Sequence, residues 1–129
     1  MINSIKSAIV IGATGLVGKR LLYLLNESKR CDKITAIVRS KNEELKKLKK
    51  VHQIVLNDFF LLNRANIEEY THAFSCLGST IKKAGSKENF YQIDYEMNAH
   101  FANLFQNTET HYLLISALGA NAQSKFFYN

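Results

Sequence analysis

Apolar residues along this chain come in short unbroken runs, separated by longer stretches in which they recur every three or four positions. Residues 7–13, SAIVIGA, form the first run and end in glycine. A run of that length suits a strand buried on both faces. Over residues 15–28, Val17, Leu21, Leu24 and Leu25 recur at helical spacing before a charged turn, which predicts a helix. ITAIVR at 34–39 predicts a second buried strand, and EELKKLKK at 43–50 a short lysine-rich helix anchored only by Leu45 and Leu48. QIVLND at 53–58 reads as a third strand, FFLLNRANIEEY at 59–70 as a helix, and HAFSCLG at 72–78 as a fourth strand. The longest helix is predicted over 88–107, with Phe90, Met97, Phe101, Leu104 and Phe105 as its inner stripe. HYLLISALG at 111–119 completes the pattern as a fifth strand.

Strands that alternate with helices imply a parallel sheet. Each return to a parallel neighbour needs a right-handed crossover, which lays its helix on one face or the other. The expected architecture is therefore α/β: a three-layer, Rossmann-type fold with five strands in the order 3-2-1-4-5. No linker or repeat interrupts the pattern, so residues 1–129 read as a single domain.

Candidate chemistry enters at the end of the first strand. GATGLVG places Gly12, Gly15 and Gly18 between a strand and a helix. Gly12 permits a tight turn, Gly15 lets a pyrophosphate approach the backbone, and Gly18 lets the helix pack close against the strand. The helix start then offers unpaired N–H groups and partial positive charge to phosphates. Glycines that serve a turn alone are the plainer alternative. No Gly-Lys-Ser/Thr follows to make a Walker loop.

At the end of the second strand, NAD-preferring sites place an acid for the ribose 2′-hydroxyl. Here the residues are Arg39, Ser40 and Lys41. A guanidinium binds a 2′-phosphate in a forked geometry and can stack on adenine. Arg39 therefore argues for NADP(H), with Ser40 and Lys41 as helpers; an ordinary exposed arginine is the alternative. The next strand ends face the same crevice. Asp58 and Phe59 are candidates for contact with adenine, while Leu77, Gly78 and Ser79 offer bare backbone to a ribose.

These stretches resemble a known family. IGATGLVGKRLL, CLGSTIKKAG, FYQIDYEMN, and LLISALGAN followed by FFYN are together similar to the extended and atypical short-chain dehydrogenase/reductases. More closely they resemble the small Tat-interacting-protein-type oxidoreductases. The resemblance implies a Rossmann-type NADP(H)-binding domain whose cofactor positions map onto Gly12, Thr14, Gly15, Leu16, Val17, Arg39, Leu77 and Gly78. It places Asn98 where many relatives carry a helix asparagine, and Lys83 in the loop that caps the cofactor.

Members of that family do redox chemistry on a small-molecule substrate with a serine and a Tyr-x-x-x-Lys. A free phenol is only about one part in a thousand ionised at neutral pH. The neighbouring lysine lowers its pKa, the tyrosine exchanges a proton with the substrate oxygen, and the serine hydrogen-bonds the same oxygen. Carried over, Ser116 and Tyr128 are the catalytic candidates. The chain departs from the pattern twice. It reads Ser116-Ala117 where relatives often have two serines, and it stops at Asn129, before the lysine position. Relative to that family the chain reads as truncated, lacking the C-terminal strands and the substrate region, with weak or no turnover. Two other readings are a non-catalytic, cofactor-sensing module that acts through a protein partner, and a truncated gene remnant.

Composition changes this picture little. The net charge is +6, but much of the basic charge sits in the lysines between 41 and 50, which read as a solvated helix face. Neither zinc-finger spacing nor an aromatic ribonucleoprotein motif argues for nucleic acid. Cys31 and Cys76 stand alone and the four histidines are scattered, so no metal site is expected. No run approaches the roughly 20 apolar residues of a membrane span. The first residues read as a strand rather than a signal peptide, so a cytoplasmic location is expected. An open edge on strand five, beside Phe126-Phe127-Tyr128, predicts association into a homodimer.

Overall fold

Five parallel strands form the centre of the molecule. The computed structural model describes residues 5–64, 69–77 and 87–115, without the side chains of 87–94. β1 (Ser7–Ile11), β2 (Lys33–Val38), β3 (Val51–Val55), β4 (His72–Ser75) and β5 (His111–Leu114) pair in the order β3-β2-β1-β4-β5. This is the strand order expected from the alternating pattern. The central strands are buried almost throughout, whereas β3 and β5, at the two edges, are half exposed.

Alternate residues of each strand feed two cores. Ala8 and Val10 of β1, Ile34, Ala36 and Val38 of β2 and Phe74 of β4 share one core with Leu22 and Leu25 of α1 (Leu16–Glu27). Ile9, Ile11, Ile37 and Ala73 share the other with Phe101 and Leu104 of α2 (Lys87–Leu104). The three layers follow from this period-two division of apolar side chains. Phe101 is fully buried, with the Phe105 ring 5.2 Å and the Tyr112 ring 5.8 Å away. The buried hydroxyl of Thr35, in the same layer, is matched by the Tyr70 hydroxyl at 2.8 Å, so the core carries no uncompensated polar group there.

Two predicted helices are not α-helical over the residues described. Over 43–50 the chain makes a single 3₁₀ turn, Glu44–Lys47. Leu45 and Leu48 are its only apolar anchors, and residues three apart align in a 3₁₀ turn. Lys50 then ends the crossover: its amide donates to Asn26 Oδ1 at 3.1 Å and its ammonium to the Ser28 carbonyl at 2.7 Å. Over 59–70 the described part begins with another 3₁₀ turn, Phe59–Leu61. The Leu62 carbonyl after it accepts from His100 Nε2 of α2 at 2.7 Å. α2 ends at Leu104 rather than 107, where Arg64 donates to the Asn103 and Gln106 carbonyls at 3.3 and 3.1 Å.

Candidate functional site

The carboxyl ends of β1, β2 and β4 converge where an open parallel sheet binds its ligand. β1 stops at Ile11 because Gly12 turns the chain at φ +70°, a conformation that L side chains rarely adopt. A Cβ on Gly12 would lie 2.6 Å from the Cys76 carbonyl carbon and oxygen and 2.8 Å from Leu77 N. The glycine turn is therefore pressed directly on the backbone that leaves β4. Gly18 is buried, and a Cβ there would lie 2.1 Å from the Gly12 carbonyl oxygen. That contact brings α1 down onto the turn.

Gly15 is the N-cap of α1. Its carbonyl accepts from Lys19 N at 2.9 Å and its amide donates to the Gly12 carbonyl at 3.3 Å. No side chain caps this helix and no acid stands in its first turn. The amides of the first turn point where an anion is favoured. Thr14 and Leu16 are exposed at the rim, and Val17 packs on the core beneath. The free first-turn amides, with no side-chain cap and no acid beside them, fit a dinucleotide pyrophosphate.

At the end of β2, Val38 is buried and its carbonyl accepts from Leu56 N at 2.8 Å. Arg39, Ser40 and Lys41 then form an exposed arch without a carboxylate. The chain is caught again at Asn42, whose amide donates to Gln53 Oε1 at 2.7 Å and whose carbonyl accepts from Gln53 Nε2 at 3.0 Å. Beyond it, Glu44 bonds to two residues of α1, accepting from Lys19 Nζ at 3.1 Å and from the Tyr23 hydroxyl at 3.0 Å. These two bonds hold its carboxyl below the usual carboxylate range, and the same carboxylate raises the Tyr23 phenol.

The remaining expected residues are placed unevenly. The Asp58 carboxylate accepts from Phe60 N at 3.0 Å and so starts the second 3₁₀ turn. Phe59 is half-buried against His100 and Phe101, with ring centroids 5.6 and 6.1 Å away. Leu77 packs on the same core, with its amide beside Gly12. Gly78, Ser79, Lys83, Ser116, Ala117 and Tyr128 lie outside the described residues. Cys76 borders the turn, but burial pushes its thiol up to about 12, so it packs rather than attacks. Cys31 is also buried, and both cysteines are free.

Two polar clusters escape a reading by sequence alone. One is the Gln53–Asn42 pair, whose partners are a strand and a loop with no shared motif. The other joins the ends of β4 and β5 to α2: Asn98 Oδ1 accepts from the buried Ser75 hydroxyl and, at 3.1 Å, from the Tyr112 hydroxyl. Only the position of Asn98 was legible, through the resemblance. A separate hollow of about 880 Å³ opens at the opposite, amino ends of the strands, beside Arg64, Glu69, His72 and His111.

The family described as "Semialdehyde dehydrogenase, NAD binding domain" matches residues 7–94, from the start of β1 into α2. The chain belongs to that family. It is an NAD(P)-binding Rossmann domain. Among curated proteins, the semialdehyde dehydrogenase-family chain is 34% identical to Protein FMP52-1, mitochondrial, of Scheffersomyces stipitis, over 95% of this chain and 55% of that one. It is 35% identical to Protein FMP52, mitochondrial, of Debaryomyces hansenii, over 95% of this chain and 54% of that one. The chain thus spans about half the length of the curated relatives it matches.

Two solved structures share the fold. One, from Streptococcus pneumoniae, is described as a candidate NADH-flavin reductase; it superposes with a TM-score of 0.62 at 24% identity, over 85% of this chain and 46% of that one. The other, from Lactobacillus casei, gives 0.64 at 21% identity, over 84% and 47%. One expectation is corrected by these comparisons. A strand-like start argued for the cytoplasm, but the matched relatives are named as mitochondrial proteins.

Proposed function

We propose that this chain binds NADP(H) and forms the cofactor half of a short-chain-dehydrogenase-like oxidoreductase in the mitochondrion. The observation that carries the reading is the pairing of an uncapped glycine cradle with an arch that holds Arg39 and Lys41 and no acid. In this reading the α1 amides hold the pyrophosphate and Arg39 grips the 2′-phosphate, where a carboxylate would repel it. Bound NADPH supplies a hydride. Ser116 and Tyr128 remain the candidates for managing the substrate proton. The location rests on the names of the relatives, and a second copy paired along β5 is the expected assembly, since Leu114 and His111 leave that edge exposed.

The test is a fluorescence titration with NADPH and NADH. NADPH is expected to bind about tenfold or more tighter, the worth of a charge-assisted bond. Equal affinities would remove the NADP assignment. No binding of either cofactor at millimolar concentration would remove the reading.

A further inference from the structure

The arch at 39–41 is only three residues long, and both of its ends are fixed. Val38 is held in the sheet by Leu56. Asn42 is held by Gln53 through both of its backbone groups, at 2.7 and 3.0 Å. Gln53 stands in the middle of β3, opposite Ala36 of β2, so its carboxamide extends a strand ladder sideways to a loop that has no strand of its own. Asn42 in turn caps the following 3₁₀ turn, its Oδ1 accepting from Leu45 N at 3.1 Å. Leu45 is fully buried, which ties the far side of the arch to the core.

Charge is arranged to the same effect. The two acids that follow the arch are each matched to a lysine outside it: Glu43 to Lys46 at 2.6 Å and Glu44 to Lys19 at 3.1 Å. Among the described residues no ion pair engages Arg39 or Lys41. The arch therefore presents its positive charge undiluted. Ordering a free loop costs conformational entropy, and a loop ordered beforehand does not meet that cost on binding.

From this we infer that Gln53 is a positioning residue that selects the phosphorylated cofactor: it holds Asn42 so that the Arg39–Lys41 arch is already shaped for the 2′-phosphate of NADP(H). The inference rests on the reading of Arg39 given above. Gln53 touches no part of the cofactor in this scheme. Its effect reaches the phosphate only through the shape of the arch, so it acts on NADPH and leaves NADH alone.

The experiment measures dissociation constants of the full chain for NADPH and NADH in the wild type, Gln53→Leu, Gln53→Asn and Arg39→Ala. Gln53→Leu removes both bonds to Asn42 and leaves the β3 backbone ladder in place. Gln53→Asn keeps an amide one methylene too short to make both bonds, and it carries the test if the leucine variant fails to fold. Either variant is expected to weaken NADPH by about two- to tenfold, the range of a net hydrogen bond, with NADH affinity unchanged. Arg39→Ala should lower the preference for NADPH further. A Gln53 variant that weakens both cofactors equally, or neither, while Arg39→Ala still erases the preference, overturns the role of Gln53 and leaves the reading of Arg39 standing. If Arg39→Ala leaves the preference intact, the reading of the arch falls, and the role of Gln53 falls with it.

Discussion

At the β1–α1 turn, backbone meets backbone. The space that a Cβ on Gly18 would need is taken by the Gly12 carbonyl at 2.1 Å, and that of Gly12 by the Cys76 carbonyl at 2.6 Å. At the β2–β3 turn, side chains do the holding: Gln53 on Asn42, and Lys19 with Tyr23 on Glu44. The first crossover carries a helix of 12 residues, the second a 3₁₀ turn of four. A backbone contact is set by glycine and admits no gradation, whereas a side-chain bond can be lengthened, weakened or replaced. In the proposed reading the glycine turn, at the pyrophosphate, is thus the fixed end, and the arch, at the adenosine, is where cofactor preference would be adjusted.

The largest effect should come from Gly18→Ala. The clashing atom is a backbone oxygen, so either α1 lifts from the sheet or the Gly12 peptide turns. Overpacking of this kind costs about 1–3 kcal/mol, and the upper end is expected because nothing flexible can yield. Urea denaturation should show the loss of stability, and binding of NADPH and NADH should fall together. A Gly18→Ala protein that keeps its stability and both affinities would break the comparison at its rigid end.

What the sequence made legible follows the same division. Gly12 and Gly18 could be read from spacing, because a positive φ and a close approach leave a mark on residue type. The strand order could be read because the alternation of apolar runs with longer amphipathic stretches admits few parallel topologies. The crossover at 43–50 was misread, because two leucines three apart satisfy one 3₁₀ turn as well as they satisfy a helix. Gln53 was invisible for a different reason. A glutamine in an edge strand looks like a solvent-facing residue, and its partner is a backbone eleven positions away. The expected cytoplasmic address rested on an apolar first strand, which carries no information on compartment; the matched relatives are named as mitochondrial proteins.

A smaller and more selective effect is expected from Arg39→Asp. The arch is exposed, so stability should stay within about 0.5 kcal/mol of the wild type. The carboxylate would repel a 2′-phosphate and accept from a 2′-hydroxyl, so NADPH should weaken about tenfold or more while NADH holds or improves. Isothermal titration with the two cofactors reads the outcome. The contrast with Gly18→Ala sharpens the comparison: in the proposed reading one end would govern whether a dinucleotide binds, the other which one. Parallel loss of both cofactors in Arg39→Asp would merge the two ends into one site.

The smallest effect belongs to the far end of the sheet, which serves as a control for both. His72 and His111 start β4 and β5 as register partners, with ring centroids 5.2 Å apart. Burial, and secondarily the neighbouring His111, hold the His72 imidazole below its ordinary value of 6.5. Above that value both folded and unfolded chains carry a neutral ring, and stability is unaffected. As pH falls below it, the unfolded chain takes up the proton first, so stability declines until the folded pKa is passed. His111→Gln removes the repulsion and leaves the burial, so it should raise the His72 pKa only part of the way. NMR titration of the ring protons reads that shift, and thermal denaturation below pH 6.5 should show slightly better acid resistance. Cofactor affinities should not move, because the arch and the cradle follow β1 and β2 at the opposite, carboxyl end of the sheet. A His111→Gln protein with altered NADPH preference would show that the division between fixed and adjustable ends reaches through the sheet.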